Sequence, residues 1–123
     1  MDELKLVDLA FRILSKAEIL AAEDLPVEVV ATPEWGGAVK VRGMSAEGRL
    51  QYVEKTRAAD GSIDLEKATY YAVIYGVVEP QFTEADIPEL KKRSAAVLDR
   101  ISRVWLRLSG IGEEELLAAR KNS

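Results

Sequence analysis

Val27-Glu28-Val29-Val30-Ala31-Thr32-Pro33-Glu34-Trp35-Gly36-Gly37-Ala38-Val39-Lys40-Val41-Arg42 decides the fold. Val27, Val29 and Ala31 alternate with Glu28, Val30 and Thr32, and Val39 and Val41 alternate with Lys40 and Arg42. Period-two runs on both sides of a Pro/Gly cluster predict a β-hairpin over about 27–42. Gly36 and Gly37 supply the positive φ that a tight turn needs without a Cβ penalty. Everything outside this stretch reads as helical. The expected fold is therefore α+β and mostly α-helical, with one hairpin packed on five to six short to medium helices in a single domain, 1–123.

Upstream, Asp2 to Leu14 places Leu6, Leu9 and Ile13 at helical spacing, with Leu4, Val7, Phe11 and Leu14 widening the face. An amphipathic helix over 1–14 either docks on the core or a neighbouring subunit, or serves as a partner-binding arm. Ser15-Lys16-Ala17-Glu18 matches a capping box for a brief helix to about Ala22. Pro26 then stops the helical path.

Downstream, Ser45 is a suitable N-cap for a helix to roughly Ala58, with Ala46, Leu50, Val53 and Arg57 on one face. Gly48 costs that helix about 1 kcal/mol relative to alanine. Ile63 to Val78 is ambiguous. Asp64 offers an N-cap, whereas 69–78 is rich in strand formers; length and the cap favour a buried helix ending at Glu79-Pro80. Thr83 caps a short segment carrying Ile87 and Leu90. Ser94 to Leu108 is the strongest periodic signal: Val97, Leu98, Ile101, Val104, Trp105 and Leu108 form one apolar stripe, closed by Ser109-Gly110. A last helix is expected from Glu113 to about Ala119.

The 123 residues carry 17 Lys and Arg against 21 Asp and Glu, a net charge of −4, which argues against bulk nucleic-acid binding. Cysteine and histidine are absent, which removes disulfides, Cys/His zinc sites, the thiol nucleophile and the commonest general base. No apolar run approaches the roughly 20 residues of a membrane span, and the acidic start is unlike a secretory signal. The carboxylate pairs (Glu23/Asp24, Asp86/Glu89, Glu113/Glu114/Glu115) sit at helix starts or in loops, where capping and solvation explain them. No Gly-rich phosphate loop is present, and no cofactor is implied.

Two features remain as interaction candidates. Arg100, Arg103 and Arg107 share a face of the 94–108 helix, with Asp99 placed to pair with Arg103. They form a solvated back face, a contact for an acidic protein or a second copy, or the basic face of a small nucleic-acid-associated or regulatory module. Trp35, in the turn with Gly36 and Gly37, either folds onto the core or stands out as an interface anchor.

Ser15 to Asp24, Pro33-Glu34-Trp35-Gly36-Gly37 with its following strand, Gly43 to Glu47, Phe82 to Ile87, Lys92 to Ile101 and Leu108 to Ile111 together resemble the tail assembly chaperones of long-tailed bacteriophages. The resemblance runs from Ser15 to the C-terminus, and the Pro-Glu-Trp-Gly-Gly turn is its most specific part. Gly48 departs from the acidic residue often found there in that family. The resemblance implies a non-enzymatic protein of the bacterial host cytoplasm, absent from the mature virion. It would bind the tape measure protein, keep it soluble, help recruit tail tube protein, and self-associate. Trp35, Gly36, Gly37, Phe11, Arg100, Arg103 and Arg107 are the expected contact residues.

Overall fold

A computed structural model describes residues 11–111 of the chain. The elements run in the order α1 (Lys16–Leu20), β1 (Val27–Thr32), β2 (Gly37–Arg42), α2 (Ala46–Thr56), α3 (Leu65–Gly76), β3 (Val77–Glu79), α4 (Ile87–Leu90) and α5 (Ala95–Leu108). Two 3-10 turns, Pro33–Trp35 and Glu84–Asp86, complete them. The fold is α+β and mostly helical: five helices among the described residues and a three-stranded antiparallel sheet in the order β1-β2-β3.

The hairpin stands where the alternation places it. Val27 pairs with Arg42 and the register holds through Thr32 opposite Gly37. Alternation alone does not say which phase faces inward. Val30, Thr32, Val39 and Val41 are buried, while Val27 and Val29 are 53% and 66% exposed. The positive φ of the turn falls on Gly36 alone, at 81°, and Gly37 opens β2.

The expected helix over 63–78 divides. Asp64 caps α3 through the Lys67 N–H at 3.1 Å, as its sequence position indicates. The helix then stops at Gly76, and Val77–Glu79 turns into a strand that pairs antiparallel with β2, so the hairpin is not the only β element. Gly76 explains the position of the break. A Cβ there would lie 2.7 Å from the Trp105 ring, so only a glycine lets α3 close on the fully buried indole. Past that contact the Val-Val pair finds an open strand edge on β2, where β-branched residues fit well.

The core gathers inward residues of β1, β2 and β3 with those of α3 and α5: Val30, Val41, Val73, Val77, Val97, Ile101 and Trp105 are among its buried members. Tyr52 meets Trp105 edge-on at 4.8 Å between centroids and donates its hydroxyl to the Ala68 carbonyl at 3.0 Å. This pair sets the inner face of α2. Tyr52 and Thr56 are buried, whereas Leu50 and Val53 are 73% and 43% exposed. A tyrosine that both packs edge-on against the central indole and satisfies its hydroxyl outcompetes a leucine for the inward position. Ser94 caps α5, and Gly110 at φ 82° lets the Ile111 N–H return to the Leu106 carbonyl, closing the helix.

The N-terminal side departs furthest from expectation. Residues 1–10 of the expected 1–14 helix and the expected 113–119 helix lie outside the described residues. Phe11 to Leu14 are not helical. In place of a continuing helix, Ser15 opens a capping box: the Glu18 carboxylate accepts from the Ser15 N–H at 3.0 Å and also binds Arg12. All residues from Phe11 to Asp24 are exposed, so this described part of the arm does not dock on the core.

Candidate interaction surface

The turn is built from its own backbone first. Pro33 fixes φ at the start of the 3-10 turn, and the Gly36 N–H donates to the Pro33 carbonyl at 3.0 Å. Buried Thr32 donates its hydroxyl to the Gly37 carbonyl at 3.1 Å, which ties the two strand ends together. This geometry sends Trp35 back toward the body, where it is half-buried against the core. Trp35 also forms one wall of a pocket of about 280 Å³, shared with Phe82 and Leu90 and rimmed by Asp86, Glu89 and Arg93. Aromatic walls, an apolar floor and a mixed-charge rim suit one apolar side chain of a partner.

The arginines of α5 have two different roles. Arg100 and Arg107 point at β1 and hold it at both ends. Arg100 donates to both oxygens of Glu34, at 2.9 and 2.6 Å, and to the Ala31 carbonyl at 3.1 Å. Arg107 donates to Glu28 at 2.5 Å. The two arginines are seven residues apart, about 10.5 Å along a helix, so they lie on one face and reach the two ends of one short strand. The bidentate Arg100 bond pulls the Glu34 carboxyl down from 4.5 to about 2. Arg103 takes no part in this. It is exposed, makes no ion pair among the described residues, and lines a groove that also contains Asp99, to which it is not bridged. The three arginines therefore do not make one free basic face, and two of them are already neutralised within the molecule.

Phe11 lies on the exposed arm, 70% accessible, together with Ile13, Leu14, Ile19 and Leu20. Several residues escaped the sequence reading. Glu28 and Glu34 gave no local signal, because their arginines lie 79 and 66 residues away. Phe82 and Leu90 could be recognised as apolar, but nothing in the sequence joins them to Trp35.

The carboxylates with resolved shifts, Glu18, Glu34 and Asp60, are all shifted downward, each mainly by a side-chain hydrogen bond. Among the described residues no cluster of three His, Cys, Asp or Glu side chains is placed to hold a metal, and no helix is long and apolar enough to cross a membrane. No family model, curated protein or solved structure matches the chain.

Proposed function

We propose that this chain is a tail assembly chaperone of the long-tailed phage type, an interaction protein with no chemistry of its own. In this reading it acts in the bacterial cytoplasm, holds the tape measure protein in solution, helps bring tail tube protein to it, self-associates, and leaves before the virion is complete. The observation that carries the proposal is the double role of one turn. Pro33-Glu34-Trp35-Gly36-Gly37 bears the family resemblance, and its tryptophan forms the wall of the apolar pocket with Phe82 and Leu90.

A holdase needs accessible apolar surface for its client and charge around it for solubility. The Trp35 pocket and the exposed Phe11, Ile13, Leu14, Ile19 and Leu20 supply the first. The charged pocket rim and a net charge of −4 supply the second. The nucleic-acid alternative is weakened because Arg100 and Arg107 are occupied by Glu34 and Glu28.

The test is capture of this chain by a tagged tape measure protein encoded beside its gene. A stoichiometric complex is expected with the wild type and a weaker one with Trp35→Ala. Absence of a complex with the wild type contradicts the proposal.

A further inference from the structure

The pocket beside the turn is more selective at its rim than along its walls. Trp35, Phe82 and buried Leu90 bound an apolar space of about 280 Å³. A cavity of about 150 Å³ already admits benzene, so this space takes one side chain of leucine to phenylalanine size. Apolar walls alone select no partner, and the choice falls to the charges around them.

Asp86 and Glu89 are both engaged. The Asp86 carboxylate accepts from the Thr83 N–H at 2.8 Å, closing the capping box of the 3-10 turn. Glu89 accepts from Lys92 at 3.3 Å, so its charge is met by a neighbour. Of the three consecutive cations at 91–93, Lys91 pairs with Glu66 at 3.1 Å and Lys92 with Glu89. The Arg93 guanidinium is exposed at the pocket rim and makes no ion pair or hydrogen bond among the described residues. Its backbone N–H donates to the Leu90 carbonyl at 2.9 Å, which fixes Arg93 next to the apolar floor. α5 begins at Ala95 with no acidic side chain in its first turn, so the positive end of its dipole adds to the arginine charge. The uncommitted charge at this pocket is therefore positive.

We propose that the Trp35 pocket selects a partner segment carrying a leucine- to phenylalanine-sized side chain with a carboxylate within about one helical turn of it. The apolar group enters between Trp35 and Phe82, and the carboxylate pairs with Arg93. This rests on the reading of the pocket as the client's docking point and states what the client presents there. A guanidinium holds a carboxylate through two parallel N–H bonds. A partner with a lysine at that place sets like charges together, which works against it.

The probes are short peptides on one alanine–glutamine host: leucine with a glutamate one turn on, leucine with a lysine there, and alanine with the glutamate. Each is titrated into the nitrogen-labelled full-length chain while the Trp35 indole N–H resonance is followed, with buried Trp105 as the internal reference. The leucine–glutamate peptide should move Trp35 and leave Trp105 in place. The lysine peptide should bind about two- to fivefold more weakly, the range of an exposed ion pair, and the alanine peptide more weakly still. Arg93→Glu should invert the preference between glutamate and lysine. Arg103→Glu, at an exposed arginine outside this pocket, should keep it. Equal affinity for the glutamate and lysine peptides, loss of the preference in Arg103→Glu, or an unmoved Trp35 overturns the proposal. So does a Trp35 resonance that shifts on dilution, which gives the pocket to a second copy, or in Leu4→Asp or Leu116→Asp, which gives it to the chain's own end segments. Because the peptides are synthetic, failure here leaves client capture to its own assay. Failed capture with the preference intact leaves the pocket's chemistry standing for a different protein.

Discussion

Glu34 shows how much one residue is asked to do. It sits in the turn, holds Arg100 with both oxygens, and so ties the hairpin to α5. Its carboxyl titrates near 2 in the folded chain and near 4.5 when released. A depressed carboxyl pKa stabilises the fold fully above the unfolded value and loses that contribution as pH falls from about 4.5 toward 2. The clamp is therefore constant across neutral pH. Carboxyl chemical shifts read against pH should place Glu34 near 2 in the wild type and close to its ordinary value in Arg100→Gln; an unchanged midpoint in the variant removes the clamp. Gly76 makes an opposite kind of demand, for the absence of an atom. Alanine normally favours a helix by about 1 kcal/mol over glycine, but here its Cβ would meet the rigid, buried Trp105 ring at 2.7 Å. Gly76→Ala should destabilise by about 1–3 kcal/mol in denaturant unfolding, and a stabilised variant contradicts the packing described.

Among the elements, α2 gives the clearest check on the core. If Tyr52 is its inward residue, Tyr52→Ala should cost about 3–5 kcal/mol and Leu50→Ser no more than about 0.5 kcal/mol; thermal or urea unfolding of the two variants should rank them in that order. Burial pushes the Tyr52 phenol up to about 12, so the folded chain retains a proton that the unfolded chain releases near 10. Stability should accordingly fall as pH rises from about 10 to 12, by less in Tyr52→Phe. What the sequence showed of these elements follows the range of the forces involved. Ser15, Ser45 and Asp64 were recognisable as caps because a side chain and an amide three residues on settle the matter locally. The hairpin was legible for the same reason. β3 was not: Val77 and Val78 look alike as a helix end or a strand, and only the open side of β2 and the Gly76–Trp105 contact decide between them. The inner face of α2 was not legible because Leu50 and Val53 fit a helical period as well as Tyr52 and Thr56 do, and the tie is broken by Trp105, more than 50 residues away from Tyr52. The Arg100–Glu34 and Arg107–Glu28 clamps were invisible because ion pairs between distant residues leave no periodic trace.

At the scale of the molecule, the core is closed while apolar surface remains open among the described residues, notably on the arm from Phe11 to Leu20 and in the pocket at Trp35. Open apolar surface on a small charged protein is the physical basis of the client-holding proposal. Trp35 joins the two levels: it packs partly on the core and partly lines the pocket, so Trp35→Ala should lower thermal stability, client capture, or both, and a variant unchanged in each contradicts its anchoring role. The most direct measurement is the soluble fraction of the tape measure protein when it is expressed alone, with the wild-type chain, and with Trp35→Ala. The account predicts that the wild type brings the client into the soluble fraction as a stoichiometric complex and that Trp35→Ala does so less. A client that stays equally insoluble with and without the wild-type chain, with no complex recovered, contradicts it.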